Sequence, residues 1–173
     1  MCRHSISGAV AAIAVVMLAV LCAAQTPIDE LAIFEPFVGT SWTGRFQDRA
    51  VIQADHLIEW ATLLDGQAVR WSKRVEELGF TMETTFSWDR EREAIAFTQL
   101  ASNGNHGEGT AAAEGRLLVL VGVSRQASGA LEFRQTFEIM DDGALEDRYY
   151  RRAGDGWSPS HVIVYHRLQE TEE

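Results

Sequence analysis

The chain has 173 residues, with 15 lysines and arginines against 25 aspartates and glutamates, a formal net charge of −10. So acidic a surface repels nucleic acid and anionic lipid, and neither is expected as a partner. The length fits one domain with a core large enough to need no staple.

Arg3 and His4 precede an apolar run from Ala9 to Leu21, and Cys22-Ala23-Ala24 then offers small residues for cleavage. This is the tripartite pattern of a secretory signal peptide. Residues 1–24 are therefore expected to be removed, which places the protein in the periplasm of a bacterium or outside the cell. The apolar run is shorter than the roughly 20 residues that span a bilayer, so no stable membrane insertion is expected after cleavage. Lipid attachment at Cys22 is disfavoured by Leu21, where a bacterial lipobox needs a small residue. Both cysteines, Cys2 and Cys22, lie in this leader, so the remaining chain would hold no disulfide and no cysteine nucleophile. Loss of Arg3 would leave 14 basic against 25 acidic residues, a net −11.

After the leader, Asp29 to Phe37 reads as a short helix stopped by Pro36, placed to close one end of the strand assembly. Phe37-Val38-Gly39-Thr40-Ser41-Trp42-Thr43-Gly44 opens the first strand, and two-residue alternation dominates from there on. Leu57 to Leu64 and Gln67 to Val75 flank Asp65-Gly66, a dipeptide suited to the positive φ values of a type I′ turn. That turn sets Trp60 opposite Trp71 and Thr62 opposite Val69, with the two indoles on one inward face. Thr81 to Trp88 and Ala94 to Ser102 are strands around Asp89-Arg90-Glu91-Arg92. Asn103-Gly104-Asn105-His106-Gly107 leads into Glu108 to Ala113, then Arg116 to Ser124, Leu131 to Met140, Leu145 to Arg152 and a last strand around His161 to Leu168. Gln169 to Glu173 is a charged tail. Short, evenly spaced strands with turn chemistry between them predict an all-β fold. The expected architecture is an antiparallel up-and-down β-barrel of about nine to ten strands over residues 25–168.

The Gly-x-x-Trp of the first strand, the Asp65-Gly66 hairpin and Phe86-Ser87-Trp88-Asp89 at a strand end resemble exported bacterial lipocalin-like (calycin-type) barrels of unknown function. More distantly the layout is similar to nitrobindin-like haem barrels. The resemblance implies a barrel with a pocket and carries over no catalytic residue. Its distant branch implies haem held by a histidine late in the chain, a region that contains His161 and His166. These two are five apart and so face opposite sides of one strand, with one at most inside and no shared metal. His56, beside Asp55 at a strand start, is expected to be a solvated turn residue. No cofactor is specified by the residues themselves.

Along Leu131 to Ile139 the odd positions form the inner set, which places Gln135 in an apolar wall. Leu145 to Arg152 turns at least one charge inward in either phase, and a buried charge requires a partner. Arg70 with Asp147 is the expected pair. The Asn103 to Gly109 loop leads into strands instead of a helix N-terminus and reads as hairpin chemistry. Ser72 and Ser87 have no nucleophile elbow, and a hydrolase triad is unsupported.

The leading expectation is a monomeric or weakly dimeric barrel that binds a small apolar or amphipathic molecule. Its walls would be Trp60, Trp71, Phe133, Phe137 and Tyr149, with Arg70 and Asp147 as polar anchor. The second is an enzyme in the same barrel, an isomerase, cyclase or hydrolase using Asp147 or Glu59 with Tyr149. The third is a non-catalytic envelope or partner-binding module with a filled interior.

Overall fold

Ten antiparallel strands close on themselves in an up-and-down barrel, each paired with its neighbour in sequence and the last paired with the first. The computed structural model describes residues 25–51 and 53–169; the expected leader and most of the charged tail lie outside them. The strands are β1 (Thr40–Phe46), β2 (His56–Leu63), β3 (Ala68–Val75), β4 (Phe80–Asp89), β5 (Ala94–Ala101), β6 (His106–Glu114), β7 (Leu117–Gln126), β8 (Gly129–Ile139), β9 (Leu145–Ala153) and β10 (Gly156–Arg167). Closure leaves no edge strand exposed to pairing with another chain.

The register is the one the sequence predicts at its clearest turn. Trp60 faces Trp71 and Thr62 faces Val69 across β2 and β3. Asp65 (φ 56°) and Gly66 (φ 85°) both take the positive φ that a type I′ turn needs. The Gly66 carbonyl accepts the Ile28 N–H at 3.1 Å, so the turn also fastens the segment that enters the barrel.

That segment is a 3₁₀ helix, Asp29–Phe34, one turn shorter than the expected helix. It buries Leu31 and Phe34 completely and Phe37 almost so. Phe34 sits 4.6 Å from the Phe86 ring and Phe37 5.1 Å from Trp60. Behind them Trp60 stacks on Trp71 at 5.6 Å, and Phe137 meets both indoles edge-on at 5.5 and 5.0 Å. Such pairs add about 0.5–1.5 kcal/mol each beyond the area they bury. Trp42 belongs to the same cluster, and its Nε1 donates to Thr40 Oγ1 at 2.6 Å. The half of the barrel beneath the helix is therefore filled.

At one side the wall comes close to the lumen. Gly109 on β6 faces Gly122 on β7, and the Phe97 ring lies over the pair. A Cβ added at either glycine would stand 2.8 Å from that ring and closer still to the backbone of the facing strand, against the Val121 carbonyl for Gly109 and the Glu108 carbonyl for Gly122. Glycine is required here by proximity.

Candidate functional site

The other end of the barrel has different chemistry. The inward positions that continue the alternation past the aromatic cluster are Lys73, Met82, Gln99, Ser124, Gln135, Tyr149 and His161, and these line a cavity of about 170 Å³. Phe80 and Ala101 complete its wall, and Asn103 and Asn105 of the β5–β6 turn stand at its mouth. The Asn103 side chain accepts the Asn105 backbone N–H at 3.1 Å, which fixes that turn over the opening. A cavity of about 150 Å³ is enough for a benzene-sized molecule.

On β9 the structure selects one of the two possible phases: Leu145 and Asp147 are fully buried and Tyr149 is half-buried. Asp147 lies below the cavity and accepts the Gln135 Nε2–H at 2.7 Å, while its Oδ2 has no protein partner. Burial pushes its carboxyl above the usual carboxylate range, against the pull of Lys73 and Gln135. Lys73 reaches into the lumen from β3, a strand not adjacent to β9 in the sheet. Lys73 is half-buried and lines the cavity; burial pushes its pKa down, partly offset by Asp147. Both groups are thus driven toward their neutral forms. Among the described residues no carboxylate forms an ion pair with Lys73.

A column of rings forms one wall. Phe133 stacks on Tyr149 at 5.4 Å, and Tyr149 on His161 at 5.1 Å with only 6° between planes. Burial, then the charges of Lys73 and Arg151, hold the His161 imidazole down at about 4. His56 is only 4% exposed, with the Phe46 ring edge-on at 4.7 Å. This corrects the expectation of a solvated turn residue. The β2 alternation of Ile58 and Trp60 extends back to position 56, and the turn ends one residue earlier. Burial and the nearby Lys73 and His161 lower its pKa to about 4.

The remaining expected site residues are spread over the filled half, the outer wall and the exterior. Trp60, Trp71, Phe133 and Phe137 are inside and buried, but they form the filled half and the floor, not the cavity lining. Arg70 alternates with Trp71, pairs across the sheet with Ala61 and Thr85, and so belongs to the outer wall. It is not brought to Asp147, and the interior cation is Lys73, three residues on. Glu59 is exposed on the outer face and shares no space with Asp147 or Tyr149. His161 points inward and His166 outward, as their spacing requires. No cluster of metal-ligating side chains occurs among the described residues.

A larger groove, about 460 Å³, runs outside the barrel between the N-terminal helix and the β6–β7 and β8–β9 turns. Ala32, Ile33, Pro36, Leu118 and Ile139 line it, and its one charged side chain, Arg116, is engaged by Asp141. It lacks the convergent polar groups that mark a binding site, whereas the smaller interior cavity has them.

No family model matches the chain, and no curated protein matches it. Among solved structures it is similar to Rv2717c from M. tuberculosis, at 14% identity and a TM-score of 0.51. The likeness covers 83% of this chain and 99% of that one. At that identity the fold alone is shared, and the barrel is the common element.

The haem implied by the more distant resemblance does not fit the residues present. His161 would have to leave its stack on Tyr149. The cavity of about 170 Å³ is smaller than pockets that take drug-sized ligands, which begin at roughly 300 Å³.

Proposed function

We propose that the protein binds a small amphipathic molecule, about the size of a single substituted ring, in the open end of the barrel. The observation that carries this reading is the division of the interior. One half is packed with aromatic rings, and the other holds a cavity whose lining converges Lys73, Gln99, Ser124, Gln135, Tyr149 and His161. Polar side chains turned into a barrel in place of apolar filling lose burial energy, and a ligand with matching donors and acceptors recovers it. The stacked rings of Tyr149 and His161, backed by Phe133, offer an aromatic wall, and Lys73 with Gln135 offers the polar one. Export from the cytoplasm, suggested by residues 3–24, would make this an envelope or extracellular binding protein.

Benzyl alcohol and related one-ring alcohols are suitable probes. Ligands of this size bind with Kd on the order of 0.1–1 mM, so saturation is read by NMR chemical-shift titration. Shifts should be confined to the open-end halves of β3, β4, β5, β7, β8, β9 and β10 and to the β5–β6 turn, and should spare the aromatic half. Ser124→Phe, which fills the cavity wall, should weaken binding about ten-fold or more without unfolding the barrel. Native mass spectrometry of the purified protein should also show a retained small mass that leaves on denaturation. Absence of both localised shifts and a retained mass would overturn the reading.

A further inference from the structure

The chain contains one lysine, Lys73, beside 14 arginines. Lysine is ordinarily a solvated surface residue, and here every surface cation is an arginine or histidine while the sole primary side-chain amine is turned into the barrel. It lines the cavity together with Tyr149 and His161. No carboxylate among the described residues ties it down as an ion pair. An arginine in this place would be permanently charged and could not act as a nucleophile; a lysine amine can.

We propose that Lys73 captures small aldehydes covalently, as an imine formed inside the open-end cavity. The proposal rests on the reading of that cavity as a ligand site. The Nζ lone pair attacks the carbonyl carbon and the C–N bond forms. Nζ then gives up its two hydrogens as the carbonyl oxygen departs as water, and no electrons are exchanged with an outside reagent. Tyr149 and His161 line the same space and can carry the proton from nitrogen to the departing oxygen. Burial favours the uncharged amine that attack requires, in the direction the surroundings already push Lys73. Tyr149, Met82 and Phe80, which line the same cavity, would hold an aromatic or short aliphatic substituent. The reaction is reversible, so the cavity would act as a carrier or scavenger of reactive carbonyls.

The test uses benzaldehyde with the protein as purified, sodium cyanoborohydride as the trapping reductant, and peptide mapping by mass spectrometry. The expected result is an adduct on the peptide bearing Lys73, about ten-fold or more above that in the urea-unfolded chain, because the folded cavity holds the aldehyde beside the amine. Benzyl alcohol, which occupies the cavity but cannot form an imine, should compete. Lys73→Arg should leave only labelling of the chain's α-amine, and Ser124→Phe should slow labelling of an intact Lys73. Labelling of Lys73 no faster than in the unfolded chain, while benzyl alcohol still binds, would overturn the imine and leave the cavity reading in place. Labelling undiminished in folded Ser124→Phe would also overturn it, since the aldehyde would not arrive through the cavity. Absence of both labelling and alcohol binding would overturn both readings.

Discussion

At the scale of single residues, the interior titrates in opposing directions. His56, sealed from solvent, has its pKa lowered from the usual 6.5 to about 4. Above pH 6.5 it is neutral whether the chain is folded or not. Between 6.5 and 4 the unfolded chain takes up a proton that the folded chain refuses, so stability is lost across that window, by at most about 3 kcal/mol. His56→Phe should roughly halve the pH dependence of urea unfolding between pH 4 and 6.5, leaving the comparable slope from His161, whose imidazole is also held at about 4. Asp147 acts with the other sign. Its folded pKa is raised, so stability falls as pH climbs from the unfolded value near 3.8 toward the folded one. Asp147→Asn keeps an acceptor for Gln135 and removes this loss. It should match the parent protein at pH 3 and exceed it at pH 7 in urea unfolding. A variant weaker than the parent at pH 7 would mean that Lys73 and Asp147 are ionised together.

At the scale of strands and turns, much of the barrel is legible in the sequence because each signal is local. The Asp65-Gly66 turn works through φ values that those two residues tolerate, and it alone sets the β2–β3 register. The site is legible only in part, for a physical reason. Alternation says which residues share a face, but on β9 both phases carry charge, and the choice depends on β8, where Gln135 supplies the hydrogen bond for Asp147. Lys73 is within reach of the same rule: with Trp71 facing in, position 73 must face in too, and position 70 cannot. Pairing by charge alone points to Arg70 instead. Gln99 and Ser124 give no signal before the strands are assembled, since each lies beside other polar residues, Thr98 and Arg125-Gln126, towards a strand end where polarity does not mark the inner face. The β6–β7 pair has its own element-scale consequence. Gly122→Val would set its Cβ 2.8 Å from the Phe97 ring and closer still to the Glu108 backbone carbonyl, so the paired strands must shift, at a cost of about 3 kcal/mol or more. Thermal melts of the folded variant should register a lower midpoint, and Phe97→Leu should restore little of it, because the nearer obstacle is backbone.

At the scale of the whole molecule, a closed barrel ties every strand to two neighbours, and the outer wall bears pairs such as Arg125 with Glu108 and Arg134 with Glu114. Exposed pairs of this kind contribute little to stability individually. The hold of the fold lies in the aromatic half and in closure. One lysine set inside such a structure turns the protein into its own reporter of opening. A protease that cuts only after lysine has a single susceptible bond, Lys73–Arg74, near the C-terminal end of β3. That bond is shielded as long as β2 and β4 hold β3 in place. Digestion of the native protein should then yield two fragments at a rate proportional to the fraction of molecules with β3 released, and none by surface nicking. Comparing that rate with urea-derived stability would show whether the barrel unzips at β3 before the rest of the chain lets go.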